Sequence, residues 1–131
     1  MWMSDANIDV IRMAYDAFGR GDIPTIVNLL SDDVDWHFVG PKQLAYSGRF
    51  KKSQVLQWFT DIAAVDDVQA FEPREFIAGG AHVTVLGWER CIARPSGRGF
   101  ETEWVHIFTV KHGRITRFWG MYDNEASAAA R

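Results

Sequence analysis

A chain of 131 residues, 47% apolar and 24% charged, has the size and balance of one globular domain and argues against disorder or a second domain. A net charge of -3, with no basic block beyond Lys51 and Lys52, argues against a nucleic-acid partner. The single cysteine, Cys91, excludes an internal disulfide and a cysteine-based zinc cluster. No apolar run nears the roughly 18 residues of a membrane span, and no basic flank precedes an apolar leader. A cytoplasmic protein without a membrane partner is therefore expected. Aromatic residues make up 14%, six of them Trp, enough to fill a core or to wall a cavity for an apolar ligand.

Residues 5–19 place Ile8, Ile11, Tyr15 and Phe18 at helical spacing, with Ser4 as a possible N-cap and Gly21 as a stop. Asp22 and Pro24 then open a short second helix that should end near Leu30. Val34, Trp36 and Phe38 alternate with Asp35 and His37, the pattern of a half-buried strand. After a loop containing Gly40, Pro41 and Gly48, the stripe Val55, Trp58, Phe59 and Ile62 predicts a third helix over 51–64. Strands follow from Val68, punctuated by Gly79-Gly80, "PSGRG" and "KHGR". The closing "NEASAAAR" reads as a frayed or helical tail, with Asp123 placed to cap it.

Helices first and an antiparallel meander afterwards define an α+β domain with a curved sheet over three N-terminal helices. This order, carrying "YDAFGRGD", "LLSDDVDWH", "YSGR", "VLQWF", "WVHIF" and "HGRITRFWGMYD", resembles the SnoaL-like and ketosteroid isomerase-like families of the nuclear transport factor 2-like superfamily. The resemblance spans nearly the whole chain. It implies one domain over 1–131 with tails at 1–4 and 124–131, shaped as a cone whose mainly antiparallel sheet floors an apolar pocket. It also implies a homodimer formed through the outer sheet face. Activities known among such proteins include isomerisation, polyketide ring closure, epoxide hydrolysis and dehydration, and other members only bind; fold alone does not choose among them.

Period-two alternation puts Trp104, His106 and Phe108 on one face and Glu103, Val105 and Ile107 on the other. In the last strand Phe118, Gly120 and Tyr122 share a face against Arg117, Trp119, Met121 and Asp123. By the resemblance, the first set of each strand faces the pocket. The isomerase tyrosine falls on Ala14, the base aspartate on Phe38 and the protonated aspartate on His106, so steroid isomerisation by the usual route is not expected. His106 remains the leading acid/base group or oxygen-binding donor, and Glu89 is its candidate partner if the strand register turns it inward. Tyr15, Trp36, Phe38, Trp58, Phe59, Trp104, Phe118 and Tyr122 are the expected ligand-contacting residues, although core packing competes with that role for Tyr15, Trp36, Trp58 and Phe59. Glu103 is expected to pair with Arg90 across strands. His37, His82, His106 and His112 lie on separate elements, so no metal site is expected, and no cofactor motif is present. The chain reads either as a cofactor-free enzyme moving a proton on a hydrophobic, oxygen-bearing small molecule, or as a non-catalytic domain binding such a ligand or a protein.

Overall fold

A computed structural model describes residues 2–131, with side chains described from Asp5 onward. Helix α1 (Trp2–Gly19) buries Ile11, Ala14 and Ala17 along one stripe. It starts ahead of Ser4, whose proposed cap lies outside the described side chains. Gly21, at φ +69°, turns the chain into α2 (Ile23–Asn28), where the Asp22 carboxylate accepts from the Thr25 backbone N–H at 3.2 Å. The predicted strand is longer than its alternation indicated: β1 runs Leu30–Val39. The loop after it contains a three-residue strand, β2 (Gly48–Phe50), too short to leave a periodic signal.

Helix α3 (Lys52–Val65) leads directly into β3 (Asp66–Gly79), followed by β4 (His82–Ala93), β5 (Gly99–Lys111), β6 (Arg114–Tyr122) and α4 (Asn124–Ala130). Asp123 caps α4 by accepting from the N–H groups of Glu125 and Ala126, and Ser127 and Ala130 are buried, so this end packs instead of trailing. The six strands form one curved sheet in the order β2-β1-β6-β5-β4-β3. All pairs are antiparallel except β1 with β6. Register breaks in β3 at Val68/Ala70 and Pro73/Glu75 mark bulges, which bend a strand and sharpen its twist. The concave face takes the helices: α1 lies against β3 and β4, and α3 against β1, β2 and β3.

The β5-β6 turn and a bulge beside it together fix what faces inward. His112 and Gly113 both have positive φ, the conformation of a tight two-residue hairpin. A bulge just beyond it, where Thr116 is the extra residue, shifts the register by one and sets His106 opposite Gly120 and Trp104 opposite Tyr122, with their side chains on the concave face. The expected Glu103–Arg90 pair does not form, because the β4-β5 register puts Glu103 opposite Trp88 and Arg90 opposite Glu101. No helix among the described residues is long and apolar enough to cross a membrane.

Candidate functional site

Between the helices and the concave face lies a cavity of about 100 Å³. Its walls include Trp36, Phe38, Trp58, Phe59 and Phe118, five of the expected aromatic residues. They interlock: Trp36 and Phe118 have ring centroids 4.3 Å apart, Trp58 meets Trp36 edge-on at 5.2 Å, and Phe59 meets Trp58 edge-on at 4.9 Å. The Trp58 indole N–H donates to the Tyr46 carbonyl at 2.8 Å. The buried Trp36 indole N–H has no partner among the described residues.

Tyr15, His106, Glu89 and Tyr122 also line the cavity. Trp104 does not. It is buried behind His106, with ring centroids 4.0 Å apart, and it stacks on Phe71 at 4.8 Å. Its edge lies so close to Gly87 that a Cβ there would fall 2.2 Å from the ring. The alternation of β5 assigned its face correctly, but the depth of a side chain on that face depends on what stands opposite.

The Tyr15 hydroxyl lies 2.8 Å from Nδ1 of His106. Burial lowers the imidazole to a pKa of about 3 and pushes the phenol well above its ordinary value, so both groups are neutral near pH 7. The pair carries two donor hydrogens, Tyr15 O–H and one ring N–H, yet only one bond joins them. In either tautomer one hydrogen is left over, and neither group has another partner among the described residues.

Glu89 stands opposite Thr102, two residues from the register that would set it against Trp104, and a two-residue shift preserves the face. Along β4 its backbone stands four residues, roughly 13 Å, from Val85, the residue opposite His106. The structure therefore brings both residues to one cavity but does not pair them. The side-chain partner of Glu89 is the Cys91 thiol, which donates to Oε2 at 3.1 Å. Desolvation, helped by the nearby Asp66 and opposed by the Cys91 bond, pushes Glu89 up to about 7.

A polar cluster beside Glu89 had no signal in residue spacing. Buried Asp66, at the junction of α3 and β3, accepts from the Tyr46 hydroxyl at 2.6 Å and from the Arg131 guanidinium at both oxygens. The hydroxyls of Tyr46 and Tyr122 are 2.6 Å apart, and Tyr122 lies 2.9 Å from Ser127 Oγ. The hydroxyl of Tyr122 is thus already engaged, and its ring is what remains for a ligand. The partners come from the loop before β2, the start of β3, the end of β6, and α4 with the residue after it, so only the folded chain shows the cluster. Among the described residues, no three of His, Cys, Asp and Glu gather as a metal-binding group.

Residues 11–118 match the family described as SnoaL-like domain. An uncharacterized protein of Mycobacterium tuberculosis, Rv0034, is 29% identical over 124 residues, covering 94% of this chain and 93% of its own. A crystal structure of an NTF2-like protein from Burkholderia xenovorans superposes with a TM-score of 0.87 at 24% identity, covering 97% of this chain and 96% of that one. The structure of TerC co-crystallized with polyporic acid superposes with a TM-score of 0.81 at 25% identity, covering 95% and 97%.

Proposed function

Because this chain belongs to the SnoaL-like domain family, we propose that it is a cofactor-free enzyme that moves a proton on a hydrophobic carbonyl compound held in the cavity. Glu89 carries the reading: a carboxyl at the wall of an aromatic cavity, with a thiol as its side-chain partner and a pKa near 7. A purely structural carboxyl would be expected to have a cation or several N–H donors beside it. A group with this pKa is substantially populated in both protonation states at neutral pH, the condition under which general base and general acid work both run. The co-crystallization of TerC with polyporic acid supports a small organic ligand for a protein of this fold.

In this mechanism the ionised Glu89 takes a proton from a carbon conjugated to the carbonyl. The C–H electron pair delocalises onto the carbonyl oxygen, and the leftover hydrogen of the Tyr15–His106 pair bonds that oxygen as its charge grows. The protonated Glu89 then returns the proton to carbon at the same or a conjugated position. His106 acts as a neutral donor and not as the base, since a ring with a pKa near 3 is a poor proton acceptor.

The test is deuterium exchange into 2-cyclohexenone in D2O, followed by NMR. Wild-type protein is expected to accelerate exchange at carbons conjugated to the carbonyl, and Glu89→Gln to lose about 100-fold or more of that acceleration. Exchange no faster than in buffer, or undiminished in Glu89→Gln, overturns the assignment and leaves a non-catalytic binding domain of the same fold.

A further inference from the structure

We infer that the cavity selects an uncharged ligand built on a single ring and bearing a carbonyl or hydroxyl oxygen. This rests on the ligand-binding reading above and adds the class of ligand.

Size is the first argument. A cavity of about 150 Å³ is enough to take up benzene. At about 100 Å³ this one admits one ring after small side-chain adjustments, whereas two fused rings need a far larger displacement. The floor resists displacement: Trp36, Trp58, Phe108 and Phe118 are each at most 5% exposed, and their rings pack on one another. The rim residues Phe18, Phe59 and Ile62 are only half-buried, so they supply what little give there is.

Charge is the second. Among the described residues no Lys or Arg lines the cavity, while Glu89 and Asp66 do, and the guanidinium of Arg131 is already engaged by Asp66. An anionic ligand would be desolvated without a counter-charge.

The unspent hydrogen bonds are the third. The Tyr15–His106 pair keeps one hydrogen over, and the Trp36 indole N–H is buried without a partner among the described residues. Both wall groups offer donors, so the complementary ligand supplies an acceptor oxygen. An ammonium group has donors only and leaves both unmet.

The experiment is calorimetric titration of the full chain at pH 7 with 2-cyclohexenone, 1-tetralone, benzoate and benzylamine. The expected order puts 2-cyclohexenone at least tenfold tighter than each of the others, even though 1-tetralone offers more apolar surface. The Tyr15→Phe/His106→Phe double variant should weaken 2-cyclohexenone binding at least fivefold while circular dichroism confirms that it is folded. Equal or tighter binding of 1-tetralone, preference for either charged probe, or no detectable binding of 2-cyclohexenone overturns the inference. Binding is read here without turnover, so the two proposals fail separately. Preference for 1-tetralone refutes the ring-size class alone, and the expected order without proton exchange refutes the proton-transfer reading alone.

Discussion

The Tyr15 hydroxyl on α1 and Nδ1 of His106 on β5 are 2.8 Å apart, although 91 residues separate them in the chain. The pair therefore exists only when α1 is docked on the concave face of the sheet. Tyr15 also packs edge-on against Phe76 and Phe108, with ring centroids 6.0 Å away in each case. The contact that holds both groups at the cavity wall is thus also one of the contacts that seat the helix.

A double-mutant cycle measures this coupling. His106→Phe leaves the Tyr15 hydroxyl without its partner at a cost of about 1–3 kcal/mol, and Tyr15→Phe does the same to Nδ1. The double Phe variant removes both groups, so its loss should fall short of the sum by about 1 kcal/mol or more. Urea unfolding of the four proteins gives the answer. Additive losses would mean that the hydrogen bond is not formed in solution.

Much of this site was legible in residue order because its faces follow simple periods. Period two in β5 and β6 put His106, Phe108, Phe118 and Tyr122 on one side, and helical spacing aligned Tyr15 with Ile11 and Phe18. Pairings across the chain were not legible. The register that carries Glu89 inward but four residues from His106 depends on hairpin turns and bulges, and the cluster of Asp66, Tyr46, Tyr122 and Arg131 depends on where α4 docks. Trp104 illustrates a third limit, since an inward face does not reveal that a glycine opposite lets the ring sink out of the cavity.

Glu89 gives a pH signature that needs no substrate. Its carboxyl rises from an ordinary 4.5 to about 7 on folding, so between these values the folded state holds a proton that the unfolded chain has released. The favourable contribution is complete below about pH 4.5 and is lost as pH rises through 7, a change of up to about 3 kcal/mol. Gln keeps a carbonyl oxygen for the Cys91 thiol and does not titrate. Glu89→Gln should therefore gain stability relative to wild type as pH is raised from 4.5 to 8. Urea unfolding across that range checks it, and a flat difference would mean that the carboxyl is well solvated.

His106 produces the opposite slope at lower pH. The folded imidazole titrates near 3 and an unfolded one near 6.5, so as pH falls below 6.5 the unfolded state gains a proton that the folded state does not. Stability from this group is complete above pH 6.5 and is lost progressively toward pH 3, by on the order of 3–5 kcal/mol. His106→Phe should remove that part of the acid sensitivity, leaving a shallower fall in stability between pH 6 and 4. An unchanged slope would place the ring in contact with bulk water.

Gly87→Ala tests the burial of Trp104. The new methyl would stand 2.2 Å from the indole, whose ring is already stacked on Phe71 and His106. Overpacking of this kind costs about 1–3 kcal/mol, and the displaced indole would push His106 toward the cavity. Adding Trp104→Leu should recover part of the lost stability in thermal unfolding. No recovery would mean that the strain arises elsewhere than at the ring.

The convex face bears on assembly, for which we propose a homodimer through the outer sheet face. Val105, Ile107, Trp119 and Met121 are half-buried there in the single chain. Trp119 is the best-anchored of them: its indole N–H donates to Asp35 at 2.9 Å, and the guanidinium groups of Arg49 and Arg117 lie 5.5 and 5.2 Å from its ring. A fixed aromatic ring opposite Ile107 and held by polar side chains suits an isologous contact, where a second copy would present the same residues in return. Light scattering at micromolar concentration should give twice the 14.9 kDa chain mass. Met121→Glu, which leaves the Asp35 and arginine contacts of Trp119 in place, would set two like charges near the symmetry axis and should shift the mass toward that of one chain. A wild-type mass of one chain, or a dimer indifferent to this charge, would move the interface off this face.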